Sequence, residues 1–152
     1  MLFGKSVRLR AIDRDDIPTF IRWFNDPDVR HFLQVFEPMS RAAEERWFEA
    51  HLKKEDEFLF SIEAPVDDGW LNIGNVGLHH VDWKNRCVTF GIVLGEKAFW
   101  GKGYGTDAAR TMVRFAFEEL NLHRVELEVY DFNARAMRCY ETVGFRLEGT
   151  RR

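Results

Sequence analysis

A glycine-rich segment is the part of the sequence best suited to bind a charged ligand. It spans Gly95 to Thr106, with the sequence GEKAFWGKGYGT, between a predicted strand and the most strongly amphipathic predicted helix. Backbone N–H groups at a helix N-terminus form a cradle for phosphate, because the helix dipole is positive there. Glycines allow the close approach and positive φ angles that such a loop needs. We therefore predict a phosphate-binding loop.

Two common nucleotide-binding motifs do not fit the spacing of these glycines. A Walker A loop has four residues between its first glycine and the Gly-Lys pair, followed by Ser or Thr. Here five residues separate Gly95 from Gly101-Lys102, and Gly103 follows. The dinucleotide motif is G-x-G-x-x-G, whereas this loop has Gly101-x-Gly103-x-Gly105. Both interpretations therefore fail on spacing.

A second segment downstream combines polar and aromatic residues at helical spacing. It runs from Asn133 to Phe145 with the sequence NARAMRCYETVGF. Asn133 is well suited to cap a helix at its N-terminus. In such a helix Tyr140 shares a face with Ala136 and Met137. Its phenol would therefore point toward a cleft if those residues pack inward.

Together, the two segments resemble the signature of the Gcn5-related N-acetyltransferase (GNAT) superfamily. Gly103 and Gly105 match the two small residues of its pyrophosphate loop, while Trp100 stands where Gln or Arg is usual. The downstream segment is similar to the family pattern Asn-x-x-Ala-x-x-x-Tyr-x-x-x-Gly-Phe. Aromatic residues near the loop resemble the Rim-type branch of protein N-terminal acetyltransferases and their relatives. The stretch from Leu120 to Arg124 resembles both the Rim-type and the diamine acetyltransferase branches. The resemblance covers nearly the whole chain.

The resemblance implies that acetyl-CoA binds where the central sheet splays between two neighbouring strands, here residues 86–94 and 124–130. Backbone groups of the first strand would pair with the pantetheine arm, the loop N–H groups would hold the pyrophosphate, and Tyr140 would protonate the leaving CoA thiolate. The residues implied in cofactor binding are Ile92, Val93, Leu94, Trp100, Gly101, Lys102, Gly103, Tyr104, Gly105, Thr106 and Asn133.

The base that deprotonates the attacking amine has no clear signature in the sequence. An alkyl amine with a pKa of about 10.4 is almost fully protonated at neutral pH, so such an acceptor gains most from a base. In many relatives a Glu occupies the strand before the loop, but Thr89 stands at that position here. We predict Glu37 as the replacement, with Glu128, His79 and water-mediated deprotonation as alternatives.

These features predict an N-acetyltransferase that transfers an acetyl group from acetyl-CoA to a primary amine. The acceptor is either a protein N-terminal α-amine or a small amine such as a polyamine. The missing Glu at Thr89 leaves a second hypothesis open, a catalytically silent acyl-CoA-binding or sensing module. A third hypothesis is a protein that binds a different phosphate-bearing ligand through the same loop.

The composition limits the class of protein and its partners. The length of 152 residues fits a single domain spanning residues 1–152. A formal net charge of -3 argues against a nucleic-acid partner. Cys87 and Cys139 form neither a disulfide framework nor a metal-binding spacing, so we expect no metal and a cytoplasmic location. No apolar run approaches the roughly 20 residues that cross a bilayer, so we expect no membrane association.

The elements that must position these residues form an α/β (α+β) domain with a mixed central sheet, an antiparallel meander and four flanking helices. In relatives a turn and a further strand usually follow, whereas this sequence ends at Arg152. We expect the final strand to be absent, supplied by a partner subunit or lost, and an exposed sheet edge would favour a homodimer. The predicted strands cover residues 7–11, 58–64, 71–81, 86–94, 124–130 and a last one that starts at 145–147.

Overall fold

The computed structural model describes residues 1–33 and 37–151, which form one mixed sheet of six strands in sequence order. Neighbouring strands from β1 to β5 are antiparallel, and β6 runs parallel to β5. This confirms the predicted mixed sheet and its antiparallel meander. The strands are β1 (Leu2–Phe3), β2 (Arg8–Ala11), β3 (Phe58–Val66), β4 (Gly69–Asp82), β5 (Cys87–Leu94) and β6 (Arg124–Glu126).

Five α-helices flank the sheet in the described ranges, one more than the sequence predicts. The additional helix is α2, because Pro27 does not merely end the first helix but occupies the first position of a new one. Proline suits that position, since its missing N–H would have no partner in the helix, and Asp26 caps the turn by accepting from Asp28 N at 2.9 Å. The helices are α1 (Ile17–Phe24), α2 (Pro27–Arg30), α3 (Arg41–Leu52), α4 (Tyr104–Arg114) and α5 (Ala134–Val143).

The sheet separates two apolar cores. Val76, Leu78 and Phe90 belong to the core that includes the buried face of α4. Phe20 and Leu59 belong to the other core, which lies under α1 and α3. Side chains alternate between faces along a strand, so each position of β4 and β5 is assigned to one core or the other. None of the helices described is long and apolar enough to span a membrane.

The sheet opens between β5 and β6, as the sequence predicts. Parallel pairing between the two strands ends at Thr89 and Glu126, although β5 continues to Leu94. The predicted strand over 124–130 is therefore too long, since residues 127–130 leave the sheet and lead toward α5. Within the described ranges, no strand pairs with the second half of β5 on this side, and a gap forms beside it.

The predicted strand starting at Phe145–Leu147 is wrong, because these residues are not in a strand in the structure. Gly144 ends α5 with a φ of 119°, and Phe145 N donates to Tyr140 O at 2.9 Å. This helix-ending turn directs the Phe145 ring toward Phe90, with 5.8 Å between the ring centroids. The alternating sequence pattern is thus explained by one half-buried aromatic ring rather than by a sheet ladder.

A single carboxylate fastens the start of the chain to α4. Asp107 accepts hydrogen bonds from the backbone nitrogens of Lys5, Ser6 and Val7 at 3.0, 2.8 and 3.0 Å. Gly4 passes so close that a Cβ atom there would lie 2.5 Å from Asp107 Oδ2. Burial opposes ionisation, but the three N–H groups outweigh it and hold the pKa of Asp107 below its usual value. The first turn of α4, directly after the glycine loop, is thereby fixed to the sheet.

Replacing this anchor is expected to destabilise the fold. Asp107→Ala leaves three N–H groups without their acceptor and should lower the free energy of unfolding by about 2 kcal/mol. Since the native pKa is lowered, the stabilisation is complete above an unfolded-state pKa of about 3.9 and is lost as the pH falls through the native value. Urea denaturation at pH 7 and at pH 3 measures both effects.

The control for this prediction is Asp67→Ala. Asp67 is an exposed carboxylate in the turn between β3 and β4, so its removal should change the free energy of unfolding by less than about 0.5 kcal/mol. Equal destabilisation by both variants, or a difference that does not shrink in acid, would contradict the role assigned to Asp107.

Candidate active site

A cleft of about 1820 Å³ opens where β5 and β6 diverge. Its walls are β5, the glycine loop, residues 124–131 and α5, and one end reaches side chains around α1 and α3. Lys102, Tyr104 and Glu37 are not among the residues that line it. The predicted site residues that do line it are Ile92, Val93, Leu94, Trp100, Gly101, Gly103, Gly105, Thr106, Asn133 and Tyr140.

The glycine loop leads into a helix N-terminus that no side chain caps among the described residues. Gly101 and Gly103 have φ angles of 71° and 90°, which lie in the left-handed region that favours glycine. The N–H groups of Tyr104, Gly105 and Thr106 come before the first intrahelical hydrogen bond of α4. They are therefore available to an anion, and the positive end of the helix dipole favours one there.

Trp100 and Arg135 face each other between the loop and α5. The indole Nε1 of Trp100 donates to Leu94 O at 2.7 Å, so this side chain fixes the loop to the end of β5. The guanidinium carbon of Arg135 lies 3.9 Å from the centroid of the Trp100 ring. Trp100 cannot offer the positive charge of the Arg usual at its position, but Arg135 brings one to the same place.

Two polar side chains connect α5 to the rest of the cleft. Thr106 Oγ1 donates to Cys139 Sγ at 3.4 Å, which joins the first turn of α4 to α5. Asn133 caps α5 through its Oδ1, which accepts from Ala136 N at 3.2 Å. This leaves its Nδ2 group as a donor at the cleft wall. The predicted capping role of Asn133 is thus present, and it does not prevent contact with a ligand.

Tyr140 lies on the wall formed by α5, packed between two aromatic rings. Its ring is edge-on to Phe90 and Phe145, with centroid separations of 6.0 and 5.8 Å. Burial, with a smaller contribution from Cys139, raises the pKa of Tyr140 to about 12. The phenol therefore keeps its proton at neutral pH and can act as a donor.

The structure places the predicted bases in different surroundings. Glu37 is exposed just before α3, and its role as base stays a prediction. Glu128 lines the cleft but forms an ion pair with Arg151 at 2.6 Å. Thr89 pairs with His79 across β5 and β4. His79, which the sequence indicates only as an alternative, also lines the cleft.

Three features of the cleft have no signature in the sequence. Glu57 accepts from His79 Nδ1 at 2.8 Å across 22 positions of the chain. Arg135 is one of two arginines on α5, and no pattern indicates that it reaches Trp100. Asn75 Oδ1 is buried without a hydrogen-bond partner in the described part of the chain. Each feature depends on strand register or on helix orientation, which only the folded chain fixes.

The gap between the diverging strands suits a particular kind of ligand. The free edge of β5 can pair with the amides of an extended arm, and the loop can hold a diphosphate at the end of that arm. A thioester of coenzyme A has both groups, so the fold and the site define a CoA-dependent acyltransferase.

Comparison with known proteins agrees with this class. The family model described as the acetyltransferase (GNAT) domain matches residues 6–146. The chain is 37% identical to the probable N-acetyltransferase YjcK of Bacillus subtilis (strain 168), over 100% of this chain and 87% of that protein. It is 29% identical to the spermidine N(1)-acetyltransferase of Escherichia coli (strain K12), over 95% of this chain and 75% of that protein.

A solved structure shows the same fold. The spermidine N-acetyltransferase of Vibrio cholerae, in complex with CoA and spermine, superposes with a TM-score of 0.85 at 26% identity, covering 96% of this chain and 84% of that chain. The chain belongs to the GNAT acetyltransferase family, and it is an acetyl-CoA-dependent N-acetyltransferase. The predicted superfamily is thus confirmed, while the Rim-type branch stays a prediction.

The loop geometry predicts that acetyl-CoA binding depends on the φ angle of Gly103. Gly103→Ala places a side chain at a φ of 90°, which costs about 1–3 kcal/mol and shifts the N–H groups that follow. We expect the dissociation constant for acetyl-CoA to rise by about tenfold or more in isothermal titration calorimetry.

A matched control is available in the turn between β3 and β4. Gly69 also has a positive φ, 138°, and open space around its Cβ position, but it does not line the cleft. Gly69→Ala should therefore cost similar strain and leave acetyl-CoA binding unchanged. If both variants weakened binding equally, general destabilisation rather than the loop would be the cause.

Proposed function

We propose that this enzyme acetylates the primary amino group of a small aliphatic amine, with polyamines such as spermidine as the first candidates. The observation that carries the proposal is that one continuous cleft joins the glycine loop to an apolar end near α1 and α3. The donor would lie along β5 and the loop, and the acceptor would enter from the apolar end. The spermidine acetyltransferases among the relatives support the same acceptor class.

The donor half of the proposal rests on charge and hydrogen bonding. The N–H groups of Tyr104, Gly105 and Thr106 would bind the pyrophosphate, with Arg135 as a nearby counter-charge. The backbone of Ile92 to Leu94 would pair with the pantetheine amides, since this part of β5 has no strand beside it in the gap. Lys102 is exposed, so only its backbone is proposed to contribute.

Tyr140 is the proposed general acid. When the C–S bond of the thioester breaks, the sulfur develops negative charge and needs a proton or a hydrogen-bond donor. A phenol with a pKa of about 12 is protonated throughout the neutral range. Its packing against Phe90 and Phe145 holds the ring, so the position of the phenol oxygen is set before the substrate arrives.

The acceptor end of the cleft suits an alkyl chain that carries positive charge. Its side chains are apolar, and the aromatic faces among them can attract an ammonium group while the methylene groups pack on the rest. An extended polyamine has both parts. The apolar residues at this end are Phe24, Val29, Phe32, Leu33 and Trp47.

A peptide N-terminal α-amine is the second candidate acceptor. The resemblance to the Rim-type branch favours it. Such an amine has a pKa of about 7.7–8.0, so it needs less help from a base than an alkyl amine does. A homodimer and a cytoplasmic location stay predictions of the sequence.

A panel of amines tests the proposed acceptor. The purified enzyme with acetyl-CoA should release free CoA thiol in proportion to added spermidine, with a kcat/KM at least about tenfold higher than for an amino sugar or for a peptide with a free α-amine. A thiol-reactive chromophore measures the release. A protein that binds acetyl-CoA in calorimetry but turns over no amine would be the silent sensing module instead.

Removing one hydroxyl tests the proposed acid. Tyr140→Phe keeps the ring packing, so acetyl-CoA binding and thermal stability should be unchanged, while kcat falls by about 100-fold or more. Because the native pKa is about 12, the wild-type rate should show no decline from loss of this proton below about pH 10. An unchanged kcat in the variant would show that Tyr140 is only a packing residue.

A further inference from the structure

A buried carboxylate outside the donor site holds two imidazoles. Glu57, just before β3, has a side chain that is only 7% exposed. It accepts from His51 Nδ1 at 2.9 Å and from His79 Nδ1 at 2.8 Å. His51 is covered by its stacking on Trp47, whereas the side chain of His79 is 35% exposed and lines the cleft. Only one of the two imidazoles therefore reaches the place where a substrate binds.

The carboxylate also determines which nitrogen of His79 is free. Burial opposes ionisation of Glu57, but the hydrogen bonds from His51 and His79 outweigh it and lower its pKa. An ionised carboxylate can only accept, so Nδ1 of His79 carries the hydrogen. In the neutral ring, Nε2 then has a lone pair that can take a proton.

The position of Nε2 is set by two glycines that pair across β4 and β5. Gly77 pairs with Gly91, and a Cβ atom on them would lie 3.0 and 3.6 Å from His79 Nε2. The absent side chains leave room for the ring to lie over both strands. Nε2 is thereby held next to the part of β5 that borders the gap.

His79 also occupies the face on which the base was expected. Its strand partner is Thr89, the position where many relatives carry Glu, and directly paired residues project to the same face of a sheet. Asn75, two alternations along β4, projects to that face as well and has a buried Oδ1 without a partner in the described ranges. Asn75 lines the cleft on the same side of the sheet as His79.

We propose that His79 is the general base of this enzyme, with Glu57 as the residue that positions it, and that it takes a proton from the acceptor amine at Nε2. The proposal rests on the proposed function, since it assumes an amine acceptor.

Nε2 takes one proton from the acceptor ammonium, and the freed lone pair on nitrogen forms the N–C bond with the thioester carbonyl carbon. The C–S bond breaks, and its electron pair leaves with the sulfur. Tyr140 gives its proton to that sulfur and regains one from the attacking nitrogen through solvent. One proton per turnover leaves the imidazolium for water, and the products are the amide and CoA thiol.

The test compares three variants at saturating acetyl-CoA. His79→Gln and His79→Ala should lower kcat/KM for the amine by about 100-fold or more, with the dissociation constant for acetyl-CoA within about twofold of the wild type. His80→Asn is the matched control: His80 is the exposed neighbour with a φ of 56°, which Asn tolerates, and its activity should be unchanged.

Two readouts separate a base from a structural residue. Added imidazole should raise the rate of His79→Ala by at least about tenfold. It should not raise the rate of His79→Gln, whose side chain still fills the space. In the wild type the reacting pair is a neutral imidazole and an ammonium, so the slope of log kcat/KM against pH should fall from about 1 to about 0 below the pKa of the acceptor amine. His79→Gln needs an amine that solvent has already deprotonated, so its slope should stay near 1 and show no such break. Among the described residues, the titratable groups in contact with His79 are Glu57 and His80. His51 and Lys54 lie one step further away, on the Glu57 carboxylate.

Each outcome decides the proposal. The role of His79 would be overturned if the activity of His79→Gln stayed within about threefold of the wild type. It would also be overturned if His79→Ala lost activity but imidazole did not rescue it and the pH break was unchanged. Either result would leave the proposed amine acetyltransferase activity intact. A wild-type enzyme that binds acetyl-CoA but acetylates no amine would overturn the proposed function, and the base with it.

Discussion

The parallel pairing of β5 with β6 stops after Thr89 and Glu126, and the rest of the site follows from that interruption. Beyond this point, the edge of β5 that borders the cleft has N–H and C=O groups that pair with no strand in the described part of the chain. In a dry interior, leaving such groups unpaired would cost free energy. Here they border an open cleft, where water or a ligand with amides can satisfy them. Trp100 satisfies one of them by donating to Leu94 O. A sheet left incomplete in this way is a binding site for an extended, amide-containing molecule.

An open sheet needs other contacts to hold its two sides at a fixed distance. On one side, Asp107 ties α4 to the start of the chain. Across the cleft, Thr106 contacts Cys139 and Phe90 contacts Tyr140, so α5 is fixed to both α4 and β5. All four side chains line the cleft, so the contacts that fix α5 also form part of the cleft walls.

The sequence predicts the features that depend on local pattern. The meander, the amphipathic α4 and the glycine loop all follow from alternation, from helical spacing and from glycine content. The errors arise where tertiary packing overrides the pattern. Phe145 alternates like a strand residue but packs half-buried against Phe90, and residues 127–130 alternate but diverge from β5. Pro27 ends one helix yet begins another, because the first turn of a helix needs no N–H from it.

The two departures from the family pattern show why site residues are harder to find than elements. Trp100 replaces a residue that is usually Gln or Arg, and the guanidinium of Arg135 comes from α5 to lie over the indole. Thr89 replaces a usual Glu, and His79 comes from the neighbouring strand to the same face, held by Glu57. In both cases the missing chemical group is present in space but displaced in sequence. A motif search tests identity at one position, whereas the chemistry requires only that a group of the right kind reach the right point. Strand register and helix orientation decide that, so the proposed base emerges from the register of β4 against β5 and not from the sequence around Thr89.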